Sequence, residues 1–258
     1  MTTLSDPMNR VTAVASVTDE RELEAELHAD LRRQLQCIGR NFERAALASS
    51  LSAEDMVLTH AIAAVGAPID VFVIDTGRLH IETLDLIERT RRRYGIDVLV
   101  YRPQETAVAE YVTRFGLDAF YASVELRHRC CEIRKVEPLE RALRGRDTWL
   151  TGQRRAQGPE RSALPIEERD RVRGIPKFNP LALWPDDAVW EYLRRHDVPF
   201  NPLHRRGYPS IGCEPCTRAI KPDEPARAGR WWWEADGAKK ECGLHVVPKA
   251  PTVAAKGN

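Results

Sequence analysis

Between Arg21 and Arg44 apolar residues recur at Leu23, Leu27, Leu31, Leu35 and Ile38, a spacing of three and four that predicts one or two amphipathic helices. Ala45-Ala46-Leu47-Ala48 is a short apolar run ending in Ser49-Ser50, which reads as a buried strand leading into a turn, and Glu54 to Val65 reads as a helix. Asp70 to Asp75 is a β-branched run stopped by Thr76-Gly77, after which Leu79 to Tyr94 returns to helical spacing. Ile96 to Tyr101 and Thr148 to Thr151 are further strands, and Asp186 to Arg195, with Val189, Trp190 and Leu193, is a further helix. Strands alternating with helices predict an α/β fold with a parallel sheet covered on both faces. Ligands of such sheets sit beyond the carboxyl ends of the strands. The positions to watch are therefore Ser49-Ser50, Asp75-Thr76-Gly77 and Thr151-Gly152. Residues 1–20 are Thr- and Ser-rich and aperiodic and are expected to form a loose arm. The sheet domain is expected over 21–200, with an irregular Pro-, Gly- and Trp-rich region over 201–258.

The chain has 258 residues, 43% of them apolar and 30% charged, which suits a globular protein and excludes collagen-like or disordered chains. A core of that size needs no disulfides. The net charge of +1 gives no argument for a nucleic-acid or membrane partner. No basic stretch followed by an apolar one opens the sequence, and Ala61 to Ile69, interrupted by Gly66 and Pro68, falls far short of the roughly 20 residues of a membrane helix. A reducing cytoplasm is the expected compartment. The near-zero charge is unevenly spread: from Arg127 to Lys177 there are 14 basic and 8 acidic residues. That surplus reads either as a solvated face or, because it flanks a strand end, as the surroundings of an anionic ligand.

Six cysteines in a chain with its own core call for chemistry other than stapling. Cys213-Glu214-Pro215-Cys216 has the two-residue gap that lets both sulfurs reach one metal or cluster, and it also suits a redox pair. Cys130 and Cys131 are adjacent, so two ligands there need a helix-end or strained backbone, which favours a larger object with several metal corners over a zinc ribbon. A four-iron cluster presents four such corners. Lys135 stands four residues after Cys131 and shares its face in a helix, placing it either between such a cluster and an anion or at the solvated surface. Cys242, in Lys239-Lys240-Glu241-Cys242-Gly243-Leu244-His245, has two lysines upstream and a histidine downstream that favour thiolate. It reads as a nucleophile or as an incidental exposed thiol. Cys37, on the apolar helix, is expected in the core.

Together, Cys130-Cys131-Glu132-Ile133-Arg134-Lys135-Val136-Glu137-Pro138-Leu139, Gly207 to Cys216, and Glu241-Cys242-Gly243-Leu244-His245 resemble the iron–sulfur branch of the assimilatory adenylyl-sulfate/phosphoadenylyl-sulfate reductase family. The resemblance runs from about Arg44 to His245 and includes Val73 to His80, Thr151-Gly152-Gln153-Arg154-Arg155 and Gly229 to Glu234. It implies the adenine nucleotide alpha hydrolase-like, Rossmann-like fold. In ATP-cleaving relatives a Ser-Gly-Gly-x-Asp-Ser loop grips pyrophosphate, whereas Ser49 to Asp55 contains no glycine and brings fewer amides to a phosphate. Leu51 and Ser52 also replace the Phe and Gly of many family members.

The resemblance further implies attack of Cys242 on the sulfur of adenosine 5′-phosphosulfate, release of AMP, and removal of the sulfonate as sulfite by reduced thioredoxin. It assigns Lys135, Arg227 and Arg230 as substrate-gripping cations, with Arg154, Arg155, Ser49, Ser50 and His245 as helpers. It assigns Cys130, Cys131, Cys213 and Cys216 to a [4Fe–4S] cluster, and it implies a homo-oligomer working in sulfate assimilation and cysteine biosynthesis. The alternatives are a reductase of the 3′-phosphorylated nucleotide, a zinc-binding structural module, and an ATP-pyrophosphatase-type thiolation enzyme, which the glycine-free loop disfavours.

Overall fold

The computed structural model describes residues 7–234, with side chains from residue 21 onward. Strands β1 (Ala45–Ser49), β2 (Asp70–Ile74), β3 (Val98–Tyr101), β4 (Thr148–Leu150), β5 (Glu167–Arg169) and β6 (Pro176–Phe178) form one sheet in the order β3-β2-β1-β4-β6-β5. Neighbours pair in parallel except β5, which lies antiparallel on β6. Helices α1 (Pro7–Asn41), α2 (Ala53–Val65), α3 (Ile81–Tyr94), α4 (Glu105–Phe115), α5 (Val124–Cys131), α6 (Glu137–Leu143) and α7 (Asp186–Arg195) complete the architecture.

The period-2 alternation of the central strands builds two cores. Leu47, Val71, Val73 and Leu150 face one side, packing with Leu31, Leu35 and Ile38 of α1, with α2, and with Val189 and Leu193 of α7. Ala46, Phe72 and Trp149 face the other, against Leu139, Ala142 and Leu143 of α6. Fully burying a side chain such as Leu47 contributes about 1.5–3 kcal/mol. A third, smaller cluster gathers Phe120, Cys213, Cys216 and Trp231, with Cys130 and Trp233 against it. The strand order reverses between β1 and β4, so the loops leaving these two strands diverge and open a crevice.

The structure corrects one expectation, the burial of Cys37, and adds three features. Helix α1 begins at Pro7, so the stretch expected as a loose arm is helical over most of its length. Cys37 is exposed: α1 buries Leu31, Leu35 and Ile38, and Cys37, one position before Ile38, falls on the outer side, its sulfur 3.2 Å from Asn41 Nδ2. Residues 167–178, for which the sequence predicts no strand, form the β5–β6 hairpin. Finally, part of the basic surplus is ion-paired with acids outside its own segment: Arg127 meets Glu234 at 2.5 Å, Arg146 meets Asp70 at 2.5 Å and Arg154 meets Glu54 at 2.7 Å.

Candidate active site

A cleft of about 310 Å³ opens at the crevice between β1 and β4. All three watched strand ends contribute to it, through Ser49 and Ser50, Thr76, and Thr151 and Gly152. Of the cations between Arg127 and Lys177, Lys135, Arg154 and Arg161 line it, and Arg227 and Arg230 close it from the C-terminal region. Cys213 also reaches its wall.

The loop after β1 turns through Leu51, which adopts a left-handed backbone (φ 60°) while fully buried. Its donors are used within the protein. The Leu51 amide donates to Ser49 Oγ at 3.1 Å, and the Ser50 amide and hydroxyl donate to Asp55 Oδ2 at 2.7 and 2.6 Å. Asp55 also accepts from the Gly152 backbone, and burial pushes its carboxyl up to about 6 despite these bonds. Gly152 is required by close approach: a β-carbon there would lie 2.4 Å from Asp55 Oδ1 and 2.9 Å from Glu54 Cβ.

Arg154 and Arg155 part company. Arg154 is buried in the cleft wall, where its guanidinium donates to Glu54 Oε1 at 2.7 and 3.0 Å, to the Trp184 carbonyl at 3.0 Å and to Asp186 Oδ1 at 2.5 Å. It thereby ties the loop after β4 to the first turns of α2 and α7. Arg155 is exposed, donates to the Leu164 carbonyl at 2.8 Å, and is not part of the cleft lining.

The opposite wall is built around the cysteines. Helix α5 ends at Cys131, and Glu132–Val136 follows as a π-helical turn before α6 resumes. Such widened turns are frequent at functional sites. This is the irregular helix-end backbone that two adjacent ligands demand, and it carries Arg134 and Lys135 as buried cations. Cys213 precedes and Cys216 ends the short 3₁₀ turn Glu214–Cys216, which Pro215 stiffens, with Cys213 Sγ 3.2 Å from Thr76 Oγ1.

The electrostatics tie the two cysteine pairs together. Burial first, then the neighbouring Cys213, Cys131 and Cys130, push the Cys216 thiol up to about 12, with Lys135 opposing. Burial and Cys213 likewise raise Cys130, opposed by Arg134 and Lys135. Lys135 therefore acts on both pairs while also lining the cleft. Among the described residues, no group of three or more His, Cys, Asp and Glu side chains closes on a metal-ion position.

Arg230 is 7% exposed, donates to Ser210 Oγ at 3.1 Å and lies over the Trp231 ring at 4.8 Å. The Arg127 guanidinium, fully buried, also lies over Trp231 at 4.6 Å and pairs with Glu234 at 2.5 and 3.1 Å. Sequence reading singled out neither Arg127 nor Arg134, whose Nη1 donates to the Thr76 carbonyl at 2.8 Å, nor did it single out Arg161 as cleft lining. Their only signal was position, three residues before, four after and in the same motif as the adjacent cysteines for the first two. Cys242 and His245 lie outside the described residues.

Residues 44–219 match the phosphoadenosine phosphosulfate reductase domain. An adenosine 5′-phosphosulfate reductase of Burkholderia cepacia is 58% identical over 83% of this chain and 85% of its own length. One from Allochromatium vinosum is 52% identical over 84% of each chain. Among solved structures, a phosphoadenylyl-sulfate reductase from Candida auris in a phosphate complex superposes with a TM-score of 0.64 at 27% identity, covering 74% of this chain and 90% of that one. An FMN adenylyltransferase from Candida glabrata shares the fold, with a TM-score of 0.54 at 15% identity over 82% of this chain and 73% of that one. Domain match, close relatives and shared architecture agree: the chain belongs to the phosphoadenosine phosphosulfate reductase family.

Proposed function

We propose that this cleft binds adenosine 5′-phosphosulfate and that the chain reduces it to sulfite and AMP, the activity its 58%-identical relative is named for. The observation that carries the reading is Lys135, a buried cation that lines the cleft and acts electrostatically on Cys130 and Cys216 at once. With Arg227 and Arg230 on the same cleft, it offsets the charge of a phosphate–sulfate anhydride, which would otherwise repel an approaching thiolate. Ser49 and Ser50 shape the loop beneath, and Arg154 holds that loop to its neighbours. In this reading Arg155 makes no substrate contact.

The nucleophile is Cys242. Its thiolate forms an S–S bond to the sulfate sulfur, and the sulfur–oxygen bond to the phosphate breaks, so that AMP leaves with the electron pair. A thiolate of reduced thioredoxin then attacks Cys242 Sγ, and sulfite leaves with that bond's electron pair. The second thioredoxin thiol resolves the mixed disulfide, so two electrons pass from the dithiol to sulfur. His245 lies close in sequence to support the thiolate. A reducing cytoplasm and a homo-oligomeric enzyme of sulfate assimilation complete the reading.

Cys130, Cys131, Cys213 and Cys216 would hold a [4Fe–4S] cluster. Four thiols from two segments, three of them packed with Phe120 and Trp231 and flanked by Arg134 and Lys135, form a donor set that suits it. When bound, the cluster supplies structural crosslinking and a local electrostatic field, while electrons come from the thiol partner. Burial favours the protonated form of Cys130 and Cys216, so binding the cluster there would release protons.

Turnover on the two nucleotides with reduced thioredoxin tests the substrate: the 5′-phosphosulfate is used preferentially, and a clear preference for the 3′-phosphorylated compound would overturn the choice. Iron and sulfide analysis after anaerobic purification tests the cofactor. A folded, active, iron-free protein would refute the cluster.

A further inference from the structure

The loop leaving β1 sits where the fold brings amides to a strand end, yet its donors are turned onto the protein itself. Asp55 Oδ2 accepts from the Ser50 amide at 2.7 Å and the Ser50 hydroxyl at 2.6 Å. The Gly152 backbone at the end of β4 donates to the same carboxylate, and the Leu51 amide is held by Ser49 Oγ at 3.1 Å. A carboxylate that collects two backbone amides and a hydroxyl from two diverging strand ends uses up the donors that such a crevice offers to an anion. Asp55 lines the cleft and is itself buried, with Glu54 as its charged neighbour.

We propose that Asp55 is a specificity-determining residue: its carboxylate is the built-in occupant of the strand-end anion nest, so that the cleft cannot take a diphosphate there and leaves anion binding to the cations of the opposite wall. Three further features agree with this role. Gly152 lacks a side chain where a β-carbon would collide with Asp55 Oδ1 at 2.4 Å, so the loop after β4 is cut to fit the carboxylate. Leu51 holds a left-handed backbone that keeps the loop folded onto Asp55. Burial also raises the carboxyl to about 6, so holding its charge at neutral pH works against folding.

The chemical class being excluded is any ligand with two linked phosphates at this position, such as inorganic pyrophosphate or the polyphosphate of a nucleoside triphosphate. The inference deepens the reading of the cleft as a sulfonucleotide site and rests on it, but it concerns the loop and is measured without turnover.

The test is calorimetric titration of the full chain with inorganic pyrophosphate, for the wild type and for Asp55→Asn and Asp55→Ser, each checked for folding by circular dichroism, with AMP titrated in parallel. Removing a carboxylate charge within about 4 Å of an incoming anion predicts pyrophosphate binding ~10-fold tighter or better in both variants. AMP affinity should change less than threefold. Unchanged or weaker pyrophosphate binding in a folded variant would overturn the proposal. So would micromolar pyrophosphate binding by the wild type, an outcome that needs no variant to fold. Failure of the substrate assignment would appear instead as an absence of nucleotide turnover, with the pyrophosphate result unaffected.

Discussion

The two walls of the cleft solve opposite problems. On the sheet wall, Ser50, Asp55, Gly152, Glu54 and Arg154 are bonded to one another, so its polar groups are fixed before any ligand arrives. On the cysteine wall, Lys135, Arg227 and Arg230 are gathered around a cluster of thiols whose burial raises Cys216 and Cys130. One wall has its polar groups bonded to one another, and the other sets cations beside buried thiols. The difference teaches that the two halves of one crevice can be organised independently, one by hydrogen bonds among neighbouring strand-end residues and the other by cations from segments far apart in sequence.

The comparison can be broken in order of expected effect. Arg127→Ala removes one partner of a buried ion pair beneath Trp231 and should cost about 3–5 kcal/mol in a chemical denaturation series. A loss under about 1 kcal/mol would mean that the cysteine wall does not depend on that pair. Lys135→Ala should lower kcat/KM by about 10²–10³-fold with little change in melting temperature, and wild-type kinetics would return Lys135 to a bystander.

Asp55→Asn should act on the sheet wall with the opposite sign. The folded carboxyl titrates at about 6, above its ordinary 3.8, so the stability it gives is complete below about pH 4 and is lost as pH rises through 6. The asparagine variant should therefore be more stable than wild type by about 1–3 kcal/mol at pH 7.5, with the gap closing between pH 6 and pH 4. A pH-independent difference in melting curves would contradict this. Arg155→Ala should change neither kcat/KM nor stability by more than about 0.5 kcal/mol, since its guanidinium lies outside the cleft.

The sheet wall was the more legible of the two. The continuous apolar run Ala45 to Ala48 and the β-branched run Asp70 to Asp75, together with turn residues after each, locate β1, β2 and the ligand end of the sheet. The β5–β6 hairpin escaped because Glu167–Arg169 and Pro176–Phe178 are three-residue strands whose charged side chains carry no alternation. Cys37 was misplaced because a free cysteine was read as a small core residue, although position 37 lies about 100° around the helix from Ile38, off the stripe formed by 31, 35 and 38.

On the cysteine wall, the spacing of Cys130, Cys131, Cys213 and Cys216 announced shared chemistry. The buried arginines that frame it did not stand out in a segment already rich in arginine. Their significance lies in pairings such as Arg127 with Glu234, 107 residues apart, which no local pattern encodes.

The central claim, that this cleft delivers a sulfonucleotide to a cysteine nucleophile, is tested most directly by mass spectrometry of the intact protein after mixing with adenosine 5′-phosphosulfate without thioredoxin. The account predicts one added SO₃ group, mapped by fragmentation to Cys242, absent from the Cys242→Ser variant and released as sulfite when reduced thioredoxin is supplied. An adduct on any other cysteine, or turnover to sulfite with no adduct and undiminished in Cys242→Ser, would contradict it.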